Sequence, residues 1–471
     1  MRVVKSVILK ATVLSVLAGC VRFEAKPLSP QQTAEQFDAR RLDDPQLKAF
    51  LQTNLKHDLA GWPLQEWDFD TLTLAALYYH PSLDVARAQW AVARAGIRTA
   101  GARPNPVADV SPQYTTNSPS GESPWVAAFT LDTTIETAGK RGYRIEEARQ
   151  GSESARLNLA EQAWQVRSRL RARLLDYVAA GRRVSLLQDV RDIQQQTVTL
   201  LEGRLAAGAI ARPDVTAARV ALIKTQTDLG EAQRQVVESR SGVAEALGVP
   251  LRALPANLKF EISNLEVKGD PESAEVRRRA LHSRPDILAA LADYAASQSA
   301  LQLEIAKQYP DIHLGPGYEY DQGLHKWGLG IGADLPVLNR NQGPIAEAEA
   351  KRVQAGAGFV ALQAQVIGEI DRALAARAAA REQLRQIDTL LQTQRQHVQS
   401  VEAMVQAGGA DQIELSSARQ EVALTEVARL DAMIKAQQAL GQLEDAVQVP
   451  FEAMPSVEQD PRAQVGKEKK P

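Results

Sequence analysis

The stretch VTAARVALIKTQTDLGEAQRQVVESRSGVAEALGVP (215–250) carries a seven-residue period, and it occurs twice. Its stripe is Val215, Ala218, Leu222, Thr225, Leu229, Ala232, Val236, Ser239, Val243 and Ala246. In LSSARQEVALTEVARLDAMIKAQQALGQLEDAVQVP (415–450) the same register falls on Leu415, Ala418, Val422, Thr425, Arg429, Ala432, Ala436, Ala439, Leu443 and Ala446. Both runs end in Val-Pro, at Val249-Pro250 and Val449-Pro450, and both follow a Gly-containing break, AAGAIARPD (206–214) and QAGGADQ (406–412). A sustained heptad stripe is a coiled-coil seam, and its small residues let helices approach closely. Two copies in one register make a duplicated helical unit.

Working outward, a proline-free helix is predicted from just after Gly142 to Leu205, about 90 Å at 1.5 Å per residue. A shorter helix after His80-Pro81, ending near Arg103, and the heptad helix together match that length. Stacked end to end, they would lie beside it. The second half repeats these events: a helix from Arg284-Pro285 to Tyr309-Pro310, a long helix from Pro344 to Gln406, then the second heptad helix.

Each half also contains a stretch with period two. In PWVAAFTLDT (124–133), Trp125, Ala127, Phe129 and Leu131 alternate with Val126, Ala128, Thr130 and Asp132, after the polar loop NSPSGESP (117–124). In the second half, Ile312, Leu314, Pro316, Tyr318 and Tyr320 oppose Asp311, His313, Gly315, Gly317, Glu319 and Asp321. In its returning strand, Trp327, Leu329, Ile331, Ala333 and Leu335 oppose Gly328, Gly330, Gly332 and Asp334. Strands of about ten residues with one apolar face, one polar or glycine face and aromatics near the ends fit a transmembrane barrel. One chain offers four such strands, and barrels close at about eight or more, so several chains must pool their hairpins. The expected fold is mainly α with a small β part: a long helical coiled-coil barrel plus a transmembrane β-barrel, built from two tandem repeats.

The N-terminus addresses the compartment. Arg2, Lys5 and Lys10 surround an apolar run from Val7 to Leu17, followed by Leu17-Ala18-Gly19-Cys20. This describes a secretory signal over 1–19, too short to span a membrane. Small residues ending in the chain's single cysteine resemble the bacterial lipobox, which implies lipidation (palmitate among the acyl groups) at Cys20. Val21 in place of aspartate favours the outer membrane by the same resemblance. The remaining expectations are an extended, lipidated lead over 20–70 wrapping the outside of the body and a first repeat over 71–250 with its hairpin at about 106–135. A mixed connector at 251–284, a second repeat over 285–450 with its hairpin at about 311–338, and a polar tail at 451–471 complete the chain.

Net charge is −2 over 471 residues, and no Lys/Arg cluster is interleaved with aromatics, so nucleic acid is not an expected partner. No catalytic set emerges. The six histidines, His57, His80, His282, His313, His325 and His397, show no metal-binding spacing, and one cysteine makes no thiolate site. Neither a cofactor nor a bound metal is expected. GLGIG (328–332) reads as small residues alternating on a strand, not as a phosphate loop. Asp214, Asp411 and Glu414 at the two helical turns are candidates for a charged ring at a pore mouth, and equally for helix-N-terminal carboxylates. Arg204 and Arg212 flank the first turn as candidate partners for neighbouring helices. Asp132, Asp311, Glu319, Asp321 and Asp334 form an acidic polar face against a single histidine.

Taken together, the duplication, the inserted hairpins and the Gly-broken turns resemble the TolC-type outer-membrane efflux factors. The strings LTLAALYYHPSLDVARA (72–88), RPNP (103–106), TIETAGKR (134–141) and LPVLNRNQG (335–343) are similar to the branch serving cobalt–zinc–cadmium and copper–silver resistance. That resemblance implies a homotrimer with a twelve-stranded barrel in the outer membrane and a helical tube in the periplasm. It also implies a periplasmic adaptor and an inner-membrane pump of the resistance–nodulation–division class. The turns holding Gly208, Gly408 and Gly409 would then be the closed end that meets the adaptor. The function implied is a passive duct, not an enzyme, for heavy-metal cations. The alternatives are a duct for drugs or other small exports and a non-conducting structural lipoprotein.

Overall fold

The structure, a computed structural model, describes residues 22–56, 58, 59, 61–118, 120–255, 258, 260 and 273–449. The signal segment, Cys20, His57 and the tail at 451–471 lie outside the described residues. The chain divides after Arg41 into two compact units. The first holds one helix, α1 (Pro30–Asp38), begun by Ser29, whose hydroxyl accepts from the Gln32 N–H.

In the second unit, α2 (Pro45–Leu55), α3 (Phe69–Tyr79) and α4 (Pro81–Ala100) precede the first hairpin, β1 (Val107–Tyr114) and β2 (Trp125–Ile135). Two antiparallel helices follow, α5 (Lys140–Ala206) and α6 (Arg212–Leu247). The second half runs α7 (Ser273–Ser283), α8 (Pro285–Ala306), β3 (Ile312–Asp321), β4 (Leu324–Ala333), α9 (Gln342–Gln406) and α10 (Gln412–Val447). The duplication read from the heptads is therefore structural. Every position of both stripes is buried or half-buried. Even Arg429, the one charge in the seam, is satisfied, its Nε donating to Asp388 on α9 at 2.5 Å.

Helix contacts fix the order of the columns: α5 packs on α4 and α6 and also on α8 and α10, and α9 packs on α8 and α10. The columns therefore run α4/α6, α5, α8/α10, α9. The stacking joint in the first half is Gly248, with φ +73; a Cβ there would lie 2.9 Å from the Cα of His80, which opens α4. In the second half Gln448 takes the left-handed conformation instead, and Arg284 Nη1 donates to the Ala446 carbonyl at 2.8 Å.

One expectation is corrected. Within the lead at 20–70, residues 30–38 and 45–55 are helical rather than extended, and α2 places Leu47, Phe50 and Leu51 among the most buried side chains, against Leu72, Leu74 and Leu247. Pro30 and Pro45 do not break structure; each is the first helical residue behind an N-cap, where its missing N–H costs nothing. The mixed connector at 251–284 contains α7, whose Val276 and Ala280 are buried with Val366, Ile370 and Leu443.

The sheet has the order β1-β2-β3-β4, antiparallel throughout, with β1 and β4 as open edges. Its register puts Val110, Phe129 and Tyr318 beside one another, and Tyr318 beside Trp327. Apart from Thr133 and His325, the face they share is apolar, and it is exposed: Trp327 at 82% and Ile331 at 72%. The other face aligns Thr130 with Gly317 and Gly317 with Gly328. Gln322 and Gly323, both with positive φ, make the tight turn between β3 and β4.

Gly248→Ala is expected to lower the thermal midpoint. Left-handed strain alone costs about 1–2 kcal/mol, and the new methyl meets backbone that side-chain rotation does not relieve. Gly230→Ala, inside α6 with open space at its Cβ, is expected to raise stability by roughly 1 kcal/mol. Circular-dichroism melts of the two variants check the opposite signs.

Candidate functional site

The two helical turns end α5 and α9 in the same way. Gly208 and Gly408 take φ +72 and +75, which a side chain would resist. Ala209 N–H donates back to the Arg204 carbonyl at 2.9 Å, and Gly409 N–H to the Met404 carbonyl at 2.8 Å. Gly409 is thus the counterpart of Ala209 and has no positive φ, so glycine is not required there.

The acidic candidates separate by role. Asp214 and Glu414 occupy the same place in α6 and α10, and the Asp214 carboxylate accepts from the Ala211 N–H at 3.2 Å, closing its own helix start. Asp411 is the N-cap of α10, accepting from the Ile413 and Glu414 N–H groups at 2.7 and 2.9 Å. Its other oxygen lies 3.1 Å from Arg204 Nη2, across the boundary between the repeats. The Glu414 N–H and the Arg204 guanidinium hold the Asp411 carboxyl below the usual aspartate range. Thr197 Oγ1 and Ser416 Oγ, 2.6 Å apart, add a second link between the repeats. Within each hairpin a repeated pair braces the arms, Glu202–Arg219 at 2.5 Å and Glu402–Arg419 at 3.0 Å. Those pairs lie 17 residues apart, and only a hairpin turn at the glycines brings them together; that turn was the available signal.

Far from the turns the same seam is buried. Arg167 Nη1 pairs with Glu444 at 3.1 Å, both nearly inaccessible, and Arg171 donates to the Gln437 carbonyl and side chain, each at 3.1 Å. Trp164 Nε1 and Ser168 Oγ donate to Asp445 at 2.9 and 2.6 Å. Burial pushes the Asp445 carboxyl up and the Arg171 guanidinium down. Breaking a buried pair costs about 3–5 kcal/mol, whereas an exposed pair such as Arg204–Asp411 contributes at most about 1. The repeats are held firmly where the last turns of α10 meet the middle of α5, and weakly at the turns.

The polar face of the sheet is less acidic than the sequence suggests. Glu319 stands opposite Lys326, whose Nζ donates to Asp321 at 2.6 Å and lies 3.9 Å from Glu319. At the helix end, Lys140 Nζ donates to Asp311 and to the Tyr309 carbonyl, both at 2.7 Å. Strand alternation places Lys326 on the face of Gly328, whereas Lys140 comes from α5, outside the sheet, where alternation says nothing. Asp132 lies 3.3 Å from His313 Nδ1. Asp334 falls just past β4 and lines a cavity of about 590 Å³ with Glu136, Arg144, Asp311 and His313. Among the described residues no group of three or more His, Cys, Asp or Glu is placed to hold a metal ion.

The two strings at the strand-to-helix returns have physical roles. Gly139 and Asn341 both adopt the left-handed conformation in front of their long helices. Arg141 and Arg144 then reach back to the Gly101 and Ala100 carbonyls at 2.8 and 2.7 Å, cations at the negative end of α4. Asn341 Nδ2 does the same for α8, donating to the Glu304 carbonyl at 2.8 Å.

Over residues 73–249 and 276–447 the chain matches the family described as outer membrane efflux protein. It is similar to the cobalt-zinc-cadmium resistance protein CzcC of Cupriavidus metallidurans, 27% identical over 220 residues, 46% of this chain and 52% of that protein. It is also similar to nodulation protein T of Rhizobium leguminosarum bv. trifolii, 23% identical over 200 residues, 41% of this chain and 42% of that protein. The chain thus spans about half the length of these curated relatives. Among solved structures, CusC superposes with a TM-score of 0.67 at 19% identity, covering 84% of this chain and 95% of that one. The Vibrio cholerae outer membrane protein VceC gives 0.66 at 19%, covering 82% and 97%. Both likenesses concern the fold.

Asp411→Asn separates capping from pairing, because asparagine caps as well as aspartate but carries no charge for Arg204. A carboxyl held below its unfolded value adds stability above the ordinary aspartate range and loses it as pH falls through that range and below. Wild type is therefore expected to exceed the variant by at most about 1 kcal/mol near neutrality, with the gap closing in acid. Hydrogen exchange at the turns, measured across pH, reads this difference.

Proposed function

Because the chain belongs to the outer membrane efflux protein family, we propose that it is the outer-membrane duct of a tripartite efflux system, conducting heavy-metal cations passively outward. The observation that carries this reading is the sheet: four strands, one exposed apolar face, one polar face and two unpaired edges. In hydrocarbon an unpaired edge costs several kcal/mol for each unsatisfied backbone group. Three copies supply twelve strands and no edges, with the apolar face toward lipid and the polar face toward water. Aromatic pairs stand in the turn-side half of the sheet, Tyr114–Trp125 at 5.0 Å beside the first turn and Tyr318–Trp327 at 4.9 Å three positions below the second, in keeping with an aromatic girdle.

A periplasmic adaptor meets the two glycine turns, and a resistance–nodulation–division pump supplies the energy. Cys20 carries the lipid anchor. The name of the cobalt-zinc-cadmium resistance relative supports metal cations as the substrate. Arg204 and Asp411 act as the gate latch, because theirs is an exposed ion pair joining the repeats at the turns.

In planar bilayers the protein is expected to show conductance that rises on Arg204→Ala or Asp411→Ala. Three exposed pairs at up to about 1 kcal/mol each shift the closed-to-open ratio by at most roughly a hundredfold. Silence from wild type and both variants would sink the duct. A strain lacking the gene is expected to become sensitive to cobalt, zinc or cadmium salts; unchanged metal tolerance with drug sensitivity would move the substrate class and leave the duct standing.

A further inference from the structure

The two repeats differ at the return from strand to helix. Residues 136–139 join β2 to α5, whereas 334–341 join β4 to α9, a link twice as long. The longer link contains Leu335-Pro336-Val337-Leu338, and Leu335, Val337 and Leu338 are 73%, 74% and 97% exposed. Nothing among the described residues of the protomer covers these side chains.

The chain order says what does. This loop leaves the open edge strand β4 and enters α9, the outermost column on that side. The other margin is β1, entered from α4, the outermost column on the opposite side. We infer that residues 335–338 are an intersubunit knob that seats against residues 103–107 of the adjoining copy, an inference that rests on the ring assembly proposed above. A β4 paired antiparallel with the next β1 brings the end of β4 to the beginning of β1, within the stagger of a tilted barrel. The segment waiting there is Arg103-Pro104-Asn105-Pro106-Val107, exposed in the protomer. Its prolines donate no backbone hydrogen bonds and present apolar rings.

The competing occupant is the lipid of the inner leaflet. The second copy is favoured because the apolar strip does not stop at the sheet. It continues down α9 through Val353 and Val360, seven residues apart and 63% and 61% exposed. On the opposite margin Val85 and Val92, again seven apart, are exposed on the side of α4 away from buried Leu83 and Ala86. Lipid contact has no reason to follow two helical margins at heptad spacing; a neighbouring helix does.

The test is cysteine cross-linking of the full-length protein purified in detergent, with oligomeric state read on native gels. Leu338→Cys with Asn105→Cys, and Leu338→Cys with Val107→Cys, are expected to give covalent dimers and trimers under mild oxidant or a short bis-maleimide. The single variants, which keep the native Cys20, are expected to give none. Leu338→Trp in vesicles containing brominated phospholipid is the other arm, read against the quenching of the native tryptophans in wild type. An intact trimer that fails to cross-link in either pair, with the introduced indole quenched by bromine, overturns the knob and leaves the ring standing. A monomer overturns the ring itself, and the native gel separates the two failures.

Discussion

An edge strand cannot be left unpaired in hydrocarbon, and four strands cannot curl far enough to pair their own edges. That single constraint organises the whole chain. It makes the sheet of each copy an arc, and the arc is held at the ends of helices whose column order matches the strand order. β1 follows the outermost column on one side and β4 precedes the outermost column on the other. Closing the barrel therefore closes the helical layer below it in the same direction, with no further instruction. A head-to-tail interface that closes on itself is the symmetric solution available to such a protomer.

Within the protomer, the seam between the repeats is graded. Midway along α5, at the stacking joint, it is a desolvated network, with Arg167, Arg171, Glu444 and Asp445 bonded by Trp164, Ser168 and Gln437. Gly441 belongs to it, because a Cβ there would overlap Arg171 Nη1 and push the guanidinium off Gln437. Toward the turns the seam is an exposed ion pair, Arg204–Asp411, and one part-buried hydroxyl contact, Thr197–Ser416. Moving the lower ends of α5 and α10 apart breaks little; lifting the last turns of α10 off the middle of α5 strands buried charge. Relative motion of the two repeats therefore costs least at the turns.

The heptad stripes were legible because a periodic seam is a local property: each position answers to residues three, four and seven away. The hairpins were legible for the same reason at period two. What stayed hidden was set at long range. The Arg204 to Asp411 contact joins residues from different repeats, and no spacing announces it. Lys326 offsets Glu319 and Asp321 only once β4 folds back on β3 in register. Proline misled the reading of the lead segment, since the residue that ends a helix also begins one behind Ser29 or Asp44. Gly-Lys-Arg and Asn-Arg-Asn-Gln-Gly stood out as strings, but their work of answering the carbonyls that end α4 and α8 needed coordinates.

Duplication itself locates the contacts that matter between halves. Where the copies agree, as in Glu202–Arg219 and Glu402–Arg419, the interaction closes within one hairpin and serves it alone. Where they differ, the residue reaches outside its own repeat or its own chain. Ala211 and Asp411 are equivalent helix starts, yet only the aspartate can grip Arg204. Arg167 and Arg171 on α5 meet Glu444 on α10, and Trp164 and Ser168 meet Asp445, so that junction joins unlike positions of the two repeats. The lengthened link at 334–341 has no counterpart at 136–139. A unit copied once begins with two identical margins; it becomes half of a protomer only when one copy acquires groups that its twin cannot match. The unmatched groups therefore mark the surfaces by which this chain recognises its other half and its neighbours.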